Sequence, residues 1–283
     1  MTLKELLERK EIIVAPGAFN AASAMLIEKA GFPAFYISGA GLSNSNGLPD
    51  AGILTLEEVV RLTSYITGAV SIPAIIDADT GFGGPAEVRA AVKALEAAGA
   101  SGVQLEDQEW PKRCGHLPGK KVIPAPEFAE KIRAAVEARS KPGFRIIART
   151  DARAVEGLGA AVARARLYAE AGADVIFPEA LESKEEFAEF SREVKAPLMA
   201  NMTEFGKTPY LGVDEFREMG YAIVIFPMTC FRAAMKAMEE ALSELKERGT
   251  QKGMLERMQT REELYRMLRY SGEEKPPEPP ENE

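Results

Sequence analysis

The sequence has few cysteine, histidine and tryptophan residues: among its 283 residues are two cysteines, one histidine and one tryptophan. Two cysteines are too few for a disulfide framework, and the charged N-terminus has no apolar segment typical of a secretory signal. No apolar run approaches the ~20 residues needed to cross a bilayer. The net charge of −8 argues against a basic face for nucleic acid. These absences predict a cytoplasmic, enzyme-sized protein with no membrane or nucleic-acid partner.

Short runs rich in Val, Ile, Phe and Ala recur along the chain, each followed by a loop and an amphipathic helical pattern. Eight βα units of this length favour an α/β fold, a (β/α)8 TIM barrel of parallel strands with the helices outside. A doubly wound open sheet is the alternative. The predicted strands cover residues 12–19, 34–41, 73–79, 102–107, 145–151, 174–179, 197–202 and 222–227.

Polar side chains stand at the end of most of these runs. They are Ser38, Asp77, Asp79, Glu106, Asp107, Arg149, Asp151, Glu179 and Asn201. Any one of them could be a satisfied structural group, since an Asp at a strand end often caps the next helix. In a barrel, however, the carboxyl ends of the strands meet at one mouth, where active sites are assembled. So many carboxylates are costly to bury without a compensating divalent metal.

The segment "DADTGFGG" holds the best metal ligands. Asp77 and Asp79 are two residues apart on one strand, so their side chains share a face. Together with Glu106 they form a hard oxygen set that suits Mg²⁺, or Mn²⁺, better than zinc. Other chemistries lack their markers: "GAGLSN" misses the third glycine of a dinucleotide motif, and no predicted strand carries a lysine for Schiff-base catalysis.

The stretch "KRCGH" concentrates the scarce residues in the loop after the fourth strand. An isolated buried cysteine is usually an inert apolar residue. Here Lys112, Arg113 and His116 predict a lowered pKa for the Cys114 thiol, which could then give and take a proton. Gly115 and Gly119 would let the loop close over the mouth.

These motifs resemble the isocitrate lyase/phosphoenolpyruvate mutase superfamily across nearly the whole chain. The matching segments are "YISGAG…LPD", "DADTGFGG", "LEDQ…KRCGH", "ARTDA", "FPEA", "NMTEFGKTP", "FRAA" and "MQTREELY". The resemblance implies Mg²⁺ at Asp77 and Asp79, with Glu106 and Asp50 further out, and Cys114 as the acid/base beside Lys112 and His116. The substrate-binding residues that it implies are Ser38, Gly39, Ala40, Asp50, Gly115, Arg149, Glu179, Asn201, Met202, Thr203, Arg232 and Arg261. Ala40 and Met202 depart from the commonest pattern of the superfamily.

The implied activity is a retro-aldol cleavage of 2-methylisocitrate to pyruvate and succinate, in the methylcitrate cycle of propionate catabolism. Cys114 would protonate the departing succinate, and Tyr36, Glu179 or a metal-bound hydroxide would be the base. The chain length and Arg113 favour the methylated substrate over isocitrate. An oxaloacetate hydrolase or decarboxylase, an isocitrate lyase, and a non-catalytic dicarboxylate-binding protein remain alternatives.

The chain after the eighth strand contains two helical stretches, the second with Leu255, Met258, Leu264 and Met267 at helical spacing. The resemblance implies a homotetramer, a dimer of dimers with swapped C-terminal helices; packing on the same barrel is the alternative. We expect one domain over residues 1–270 and a disordered Pro/Glu-rich tail over 271–283.

Overall fold

Eight parallel strands form a single sheet that curls into a barrel. The computed structural model describes residues 1–271, so most of the predicted tail lies outside the described residues. The strands follow each other around the barrel in chain order, with β1 beside β8, and one parallel bridge from Ile176 to Leu198 joins β6 to β7. The strands are β1 (Ile13–Ala18), β2 (Phe35–Ile37), β3 (Ala74–Asp77), β4 (Gly102–Glu106), β5 (Arg145–Thr150), β6 (Val175–Pro178), β7 (Met199–Asn201) and β8 (Ile223–Phe226). The predicted (β/α)8 barrel is confirmed.

Helices follow the strands, and several begin at side chains that cap them. Thr55 accepts the N–H of Glu58, whose carboxylate accepts the N–H of Thr55, which fixes the start of one helix. The helices are α1 (Leu3–Glu8), α2 (Ala21–Lys29), α3 (Gly39–Ser45), α4 (Leu56–Gly68), α5 (Pro85–Ala97), α6 (Ala125–Ala138), α7 (Arg153–Glu156), α8 (Leu158–Glu170), α9 (Lys184–Glu193), α10 (Val213–Glu218), α11 (Thr229–Arg248) and α12 (Arg261–Met267). None of the helices in residues 1–271 has the length and apolar character needed to span a bilayer.

Two apolar cores hold the barrel together. The outer core lies between strands and helices and includes Phe128, Phe187 and Phe216. The inner core fills the barrel with residues such as Ile75 and Ile147, and the buried Leu3 and Leu6 of α1 belong to it. Because Leu3 lies against Gly102 at the start of β4, α1 covers the amino end of the barrel. The opposite, carboxyl end is left for the polar residues.

The described chain divides into two compact units, residues 1–233 and a second unit that begins at Ala234. The second predicted helical stretch is broken: a 3-10 helix at Lys252–Arg257 precedes α12, which Thr260 and Glu263 cap. The expectation of one domain over residues 1–270 stays a prediction.

Candidate active site

Three carboxylates cluster where β3 and β4 end. Asp77, Asp79 and Glu106 each offer an oxygen within 4.8 Å of the others. Asp79 adopts a left-handed backbone conformation (φ 49°), which aspartate tolerates better than most residues. In this conformation its N–H donates to Asp77 Oδ1 at 3.1 Å, and its carbonyl accepts the N–H of Glu106 at 2.9 Å. The backbone therefore holds the cluster in place.

The charge balance of the cluster fits a divalent cation. Burial, with the charge of Asp79, raises the pKa of Asp77 to about 6. Burial also raises the pKa of Glu106 well above its ordinary value, and Glu106 Oε1 is buried without a hydrogen-bond partner. Hard carboxylate oxygens that repel one another are the set that Mg²⁺ binds. Asp77, Asp79 and Glu106 would hold such an ion.

Lys112 lies beside these carboxylates. Its ammonium group is 2.8 Å from Asp79 Oδ1 and also contacts Asp50. Although burial lowers the pKa of Lys112, the charges of Asp79, Glu106 and Asp50 raise it well above its ordinary value. Lys112 is therefore a fixed cation that neutralises part of the cluster.

The loop that carries Cys114 is anchored at both ends. The side-chain amide of Gln108 donates to the Arg113 carbonyl at 2.8 Å and accepts the Arg113 N–H at 3.0 Å. Further along, His116 Nδ1 accepts the N–H of Lys207, from the loop after β7, at 3.1 Å. The other ring nitrogen of His116, Nε2, lies 3.1 Å from Glu179 Oε1.

The predicted lowering of the Cys114 pKa is wrong. Burial, together with the charges of Asp50 and Glu179, raises the pKa of the thiol. The cations expected to stabilise a thiolate are already paired with carboxylates: Lys112 with Asp50 and Asp79, and His116 with Glu179. Cys114 therefore rests as a thiol that carries its proton.

Arg149 and Glu179 face the carboxylate cluster from β5 and the end of β6. The β4–β5 register places Arg149 opposite Glu106, and Arg149 Nε is 3.4 Å from Glu106 Oε2. Arg149 also donates two hydrogen bonds to Asp151, at 2.9 and 3.1 Å, and its Nη1 lies 3.8 Å from Glu179. Burial raises the pKa of Glu179, but Arg149 and His116 outweigh it and hold that pKa well below its usual range.

A cavity of about 150 Å³ lies between Asp77, Cys114 and the Arg149–Glu179 pair. The predicted site residues that line it are Tyr36, Ser38, Ala40, Asp77, Cys114, Gly115, His116, Arg149, Glu179, Asn201, Thr203 and Arg232. Gly39 contributes its N–H to Asp77 Oδ2 at 3.3 Å. The side chain of Met202 packs in the outer core, and Arg261 opens α12 in the second unit, so their predicted roles stay predictions.

Sequence reasoning missed five further lining residues: Asn44, Phe177, Ile225, Pro227 and Met228. Phe177 and Ile225 were identifiable as barrel-interior positions, because both alternate with outward-facing neighbours on their strands. Asn44 lies within "GAGLSN", a segment whose sequence signals no role for this residue. Pro227 and Met228 follow β8 and carry no chemical signal of their own.

Gly115 packs tightly against the Arg149–Glu179 pair. A Cβ atom at this position would overlap Glu179 Oε1 and lie 2.5 Å from Arg149 Nη2. Because both side chains are buried and paired, neither can move away freely. We expect Gly115→Ala to displace the Cys114 loop and lower kcat by about 10²-fold, the usual effect of a ~1 Å misplacement. Gly159→Ala, where a Cβ meets nothing within 4 Å, is the control. Equal steady-state kcat values for the two variants would contradict this packing argument.

The fold and the site define the class of protein. The family model described as phosphoenolpyruvate phosphomutase matches residues 3–246, and the chain belongs to this family, which confirms the resemblance seen in its motifs. The chain is 56% identical to the 2-methylisocitrate lyase of Aeropyrum pernix over 97% of its own length and 89% of that protein's.

Two solved structures are similar as well. Oxaloacetate acetylhydrolase in complex with the inhibitor 3,3-difluorooxalacetate has a TM-score of 0.90 and 36% identity, over 94% of this chain and 92% of the other. Phosphonopyruvate hydrolase in complex with oxalate and Mg²⁺ has a TM-score of 0.86 and 32% identity, over 94% and 95%.

Proposed function

We propose that this chain is a magnesium-dependent carbon–carbon lyase that cleaves 2-methylisocitrate to pyruvate and succinate, in the methylcitrate cycle of propionate catabolism. One observation carries the proposal: Asp77 of the carboxylate cluster, the Cys114 thiol and the Arg149 guanidinium line one cavity. The 56% identity to a 2-methylisocitrate lyase over almost the whole chain supports the same substrate.

The carboxylate cluster would hold Mg²⁺, and Mn²⁺ could take its place. The Mg²⁺ complex of a phosphonopyruvate hydrolase of the same fold supports the choice of Mg²⁺. Bound there, the ion supplies Lewis-acid chemistry, acidifying the substrate hydroxyl and stabilising the carbonyl that forms as the bond breaks. The chain's own residues supply the remaining steps.

Arg149, which is always protonated, binds a substrate carboxylate in the cavity, and Arg232 is placed to bind another. Ser38, Gly39 and Ala40, at the start of α3, would hold the carboxylate of the pyruvate half. Arg149, Arg232 and the backbone of residues 201–203 would hold the carboxylates of the departing succinate and stabilise the negative charge that develops on it.

Proton transfer needs an acid and a base. Cys114 is the acid: its raised pKa keeps the proton on sulfur until the carbanion of succinate takes it. Of the side chains proposed as the base, Tyr36 donates its hydrogen to Gln104, and burial raises its pKa well above the usual value. Glu179 is ionised and faces the cavity, which favours it over Tyr36.

The test is to incubate the protein with Mg²⁺ and, separately, 2-methylisocitrate, isocitrate or oxaloacetate, and to measure the products by chromatography. We expect pyruvate and succinate in equal amounts from 2-methylisocitrate, and a kcat/KM for isocitrate lower by about 10- to 200-fold, the range for one missing methyl group. Chelation with EDTA should abolish turnover, and Mg²⁺ or Mn²⁺ should restore it.

The similarity to oxaloacetate acetylhydrolase favours one competing activity. Faster conversion of oxaloacetate than of 2-methylisocitrate would replace the proposal with that activity. Calorimetric binding of these acids without conversion would instead identify a non-catalytic dicarboxylate-binding protein.

We further propose a cytoplasmic homotetramer, a dimer of dimers with exchanged C-terminal helices. Met235, Met238, Leu242 and Leu245 of α11 recur at three- and four-residue spacing and are exposed in the single chain. Such a stripe is typical of a helix that packs against another chain. Both cysteines are free, in keeping with a reducing compartment.

A further inference from the structure

Lys120 has a buried ammonium group, although it lies in the loop after β4 that the sequence predicts to close over the mouth of the barrel. The residue is only 7% exposed. Its Nζ donates to the carbonyl oxygen of Gly115 at 2.5 Å and to Asp151 Oδ1 at 2.7 Å. A buried ammonium group with two such acceptors is held in position, because breaking either contact would leave buried polar atoms without a partner.

The acceptor Asp151 is itself rigidly held. It is fully buried, accepts two hydrogen bonds from Arg149, and donates its N–H to Asp107 Oδ1 at 2.9 Å. Asp107 in turn accepts the Tyr168 hydroxyl at 2.8 Å. Lys120 therefore joins the Cys114 loop to a buried, hydrogen-bonded part of the barrel.

The point of attachment lies next to the reacting group. Gly115 directly follows Cys114 and packs so closely on Arg149 and Glu179 that even a Cβ atom would collide with them. A carbonyl held at 2.5 Å by Lys120 fixes how deeply Gly115 enters this space. The position of the thiol next to it is fixed at the same time.

We propose that Lys120 is a positioning residue that holds Gly115 against the Arg149–Glu179 pair and thereby places the Cys114 thiol. Its effect on turnover rests on the proposed function, whereas its effect on the loop does not. The neighbouring Lys121 has the same charge, but its side chain is 78% exposed and its ammonium lies 3.7 Å from Glu109 at the surface. Lys121 therefore provides a matched control one residue away.

The loop can be tested without any substrate, because the chain has only two cysteines. In a Cys230→Ser background, Cys114 is the single thiol, and its alkylation by iodoacetamide, followed by mass spectrometry, reports its accessibility. We expect Lys120→Met to speed alkylation by about tenfold or more, because the loop leaves the barrel wall. Loss of the lysine charge by itself disfavours the thiolate and would slow the reaction, so the two effects have opposite signs. Lys121→Met should react at the parental rate.

Turnover provides the second measurement. We expect Lys120→Met to lower kcat by about 10²-fold, as misplacement of a reacting group does, with Mg²⁺ affinity by calorimetry unchanged. Lys120→Arg, which keeps a cation with several donors, should recover part of both kcat and thiol protection. If Lys120→Met does not fold, the Lys120→Arg and Lys120→Gln variants take its place in the same assay.

Equal alkylation rates in the folded Lys120 and Lys121 variants would overturn the positioning role. If the parent protein cleaves no 2-methylisocitrate, the proposed function fails, and the alkylation rates alone still decide whether Lys120 holds the loop.

Discussion

We expect the replacement of Cys114 with serine to lower kcat for 2-methylisocitrate cleavage by about 10³-fold, within the range that a positioned general acid contributes. The serine hydroxyl is close in size to the thiol but is a far weaker acid, so it delivers a proton to the succinate carbanion poorly. The thiol is half-buried and its pKa is raised, so the wild-type enzyme meets its substrate with the proton in place. Steady-state kinetics with pyruvate as the detected product measures the change.

The fold and the metal site should be unaffected by this substitution, because Cys114 belongs to neither the cores nor the carboxylate cluster. Thermal denaturation and calorimetric titration with Mg²⁺ should therefore match those of the wild type. Cys230→Ser, which changes the second cysteine in the same way, is the control and should keep full activity. Near-normal turnover by Cys114→Ser would rule out the acid role.

The barrel was predictable because its signals are local. Each strand is a short apolar run, and each of the residues Asp77, Glu106 and Arg149 lies at or just before the end of one. Once the runs are assigned to parallel strands, the closed sheet brings those ends together. The β4–β5 register that sets Glu106 opposite Arg149 needed the structure.

The protonation state of Cys114 was not predictable, because it depends on contacts between distant parts of the chain. Lys112 is close to Cys114 in the sequence and should by that proximity stabilise a thiolate, yet its ammonium group contacts Asp50, 62 residues earlier. Likewise, "GKK" does not reveal that Lys120 turns inward to Asp151 while Lys121 turns to solvent. The sequence of the loop shows that it is basic, but only the structure shows which carboxylate each lysine pairs with.

Replacing Arg149 with methionine is expected to lower the free energy of unfolding by about 3–5 kcal/mol, the usual effect of removing one partner from a buried ion pair. Methionine retains much of the volume, so the loss arises from charge. Glu106, Asp151 and Glu179 are almost fully buried and all lie within 4 Å of the Arg149 guanidinium. Without it, their carboxylates would face one another across the site. Chemical denaturation at neutral pH measures the difference.

The stability difference between the wild type and Arg149→Met should shrink in acid. This direction follows from the lowered pKa values of Asp151 and Glu179. Burial raises the pKa of Asp151 and of Glu179, but Arg149 and Lys120, joined at Glu179 by His116, together outweigh burial and lower both below their ordinary values of 3.8 and 4.5. A lowered carboxyl pKa contributes stability above the ordinary value and loses it as the pH falls toward the shifted one. The wild type should therefore lose its advantage over Arg149→Met progressively below about pH 4.5.

Arg153→Met is the matched control for this prediction. Arg153 lies four residues along the chain and pairs with Glu182 and Glu186 at 2.7 and 2.6 Å, but at a partly exposed position. Because solvent screens such pairs, we expect a loss of about 1 kcal/mol or less. Similar losses in the two variants would show that the buried guanidinium stabilises this barrel no more than a surface one does. A clearly larger loss at Arg149 would mean that the cation proposed to bind substrate also makes the acidic mouth of the barrel possible.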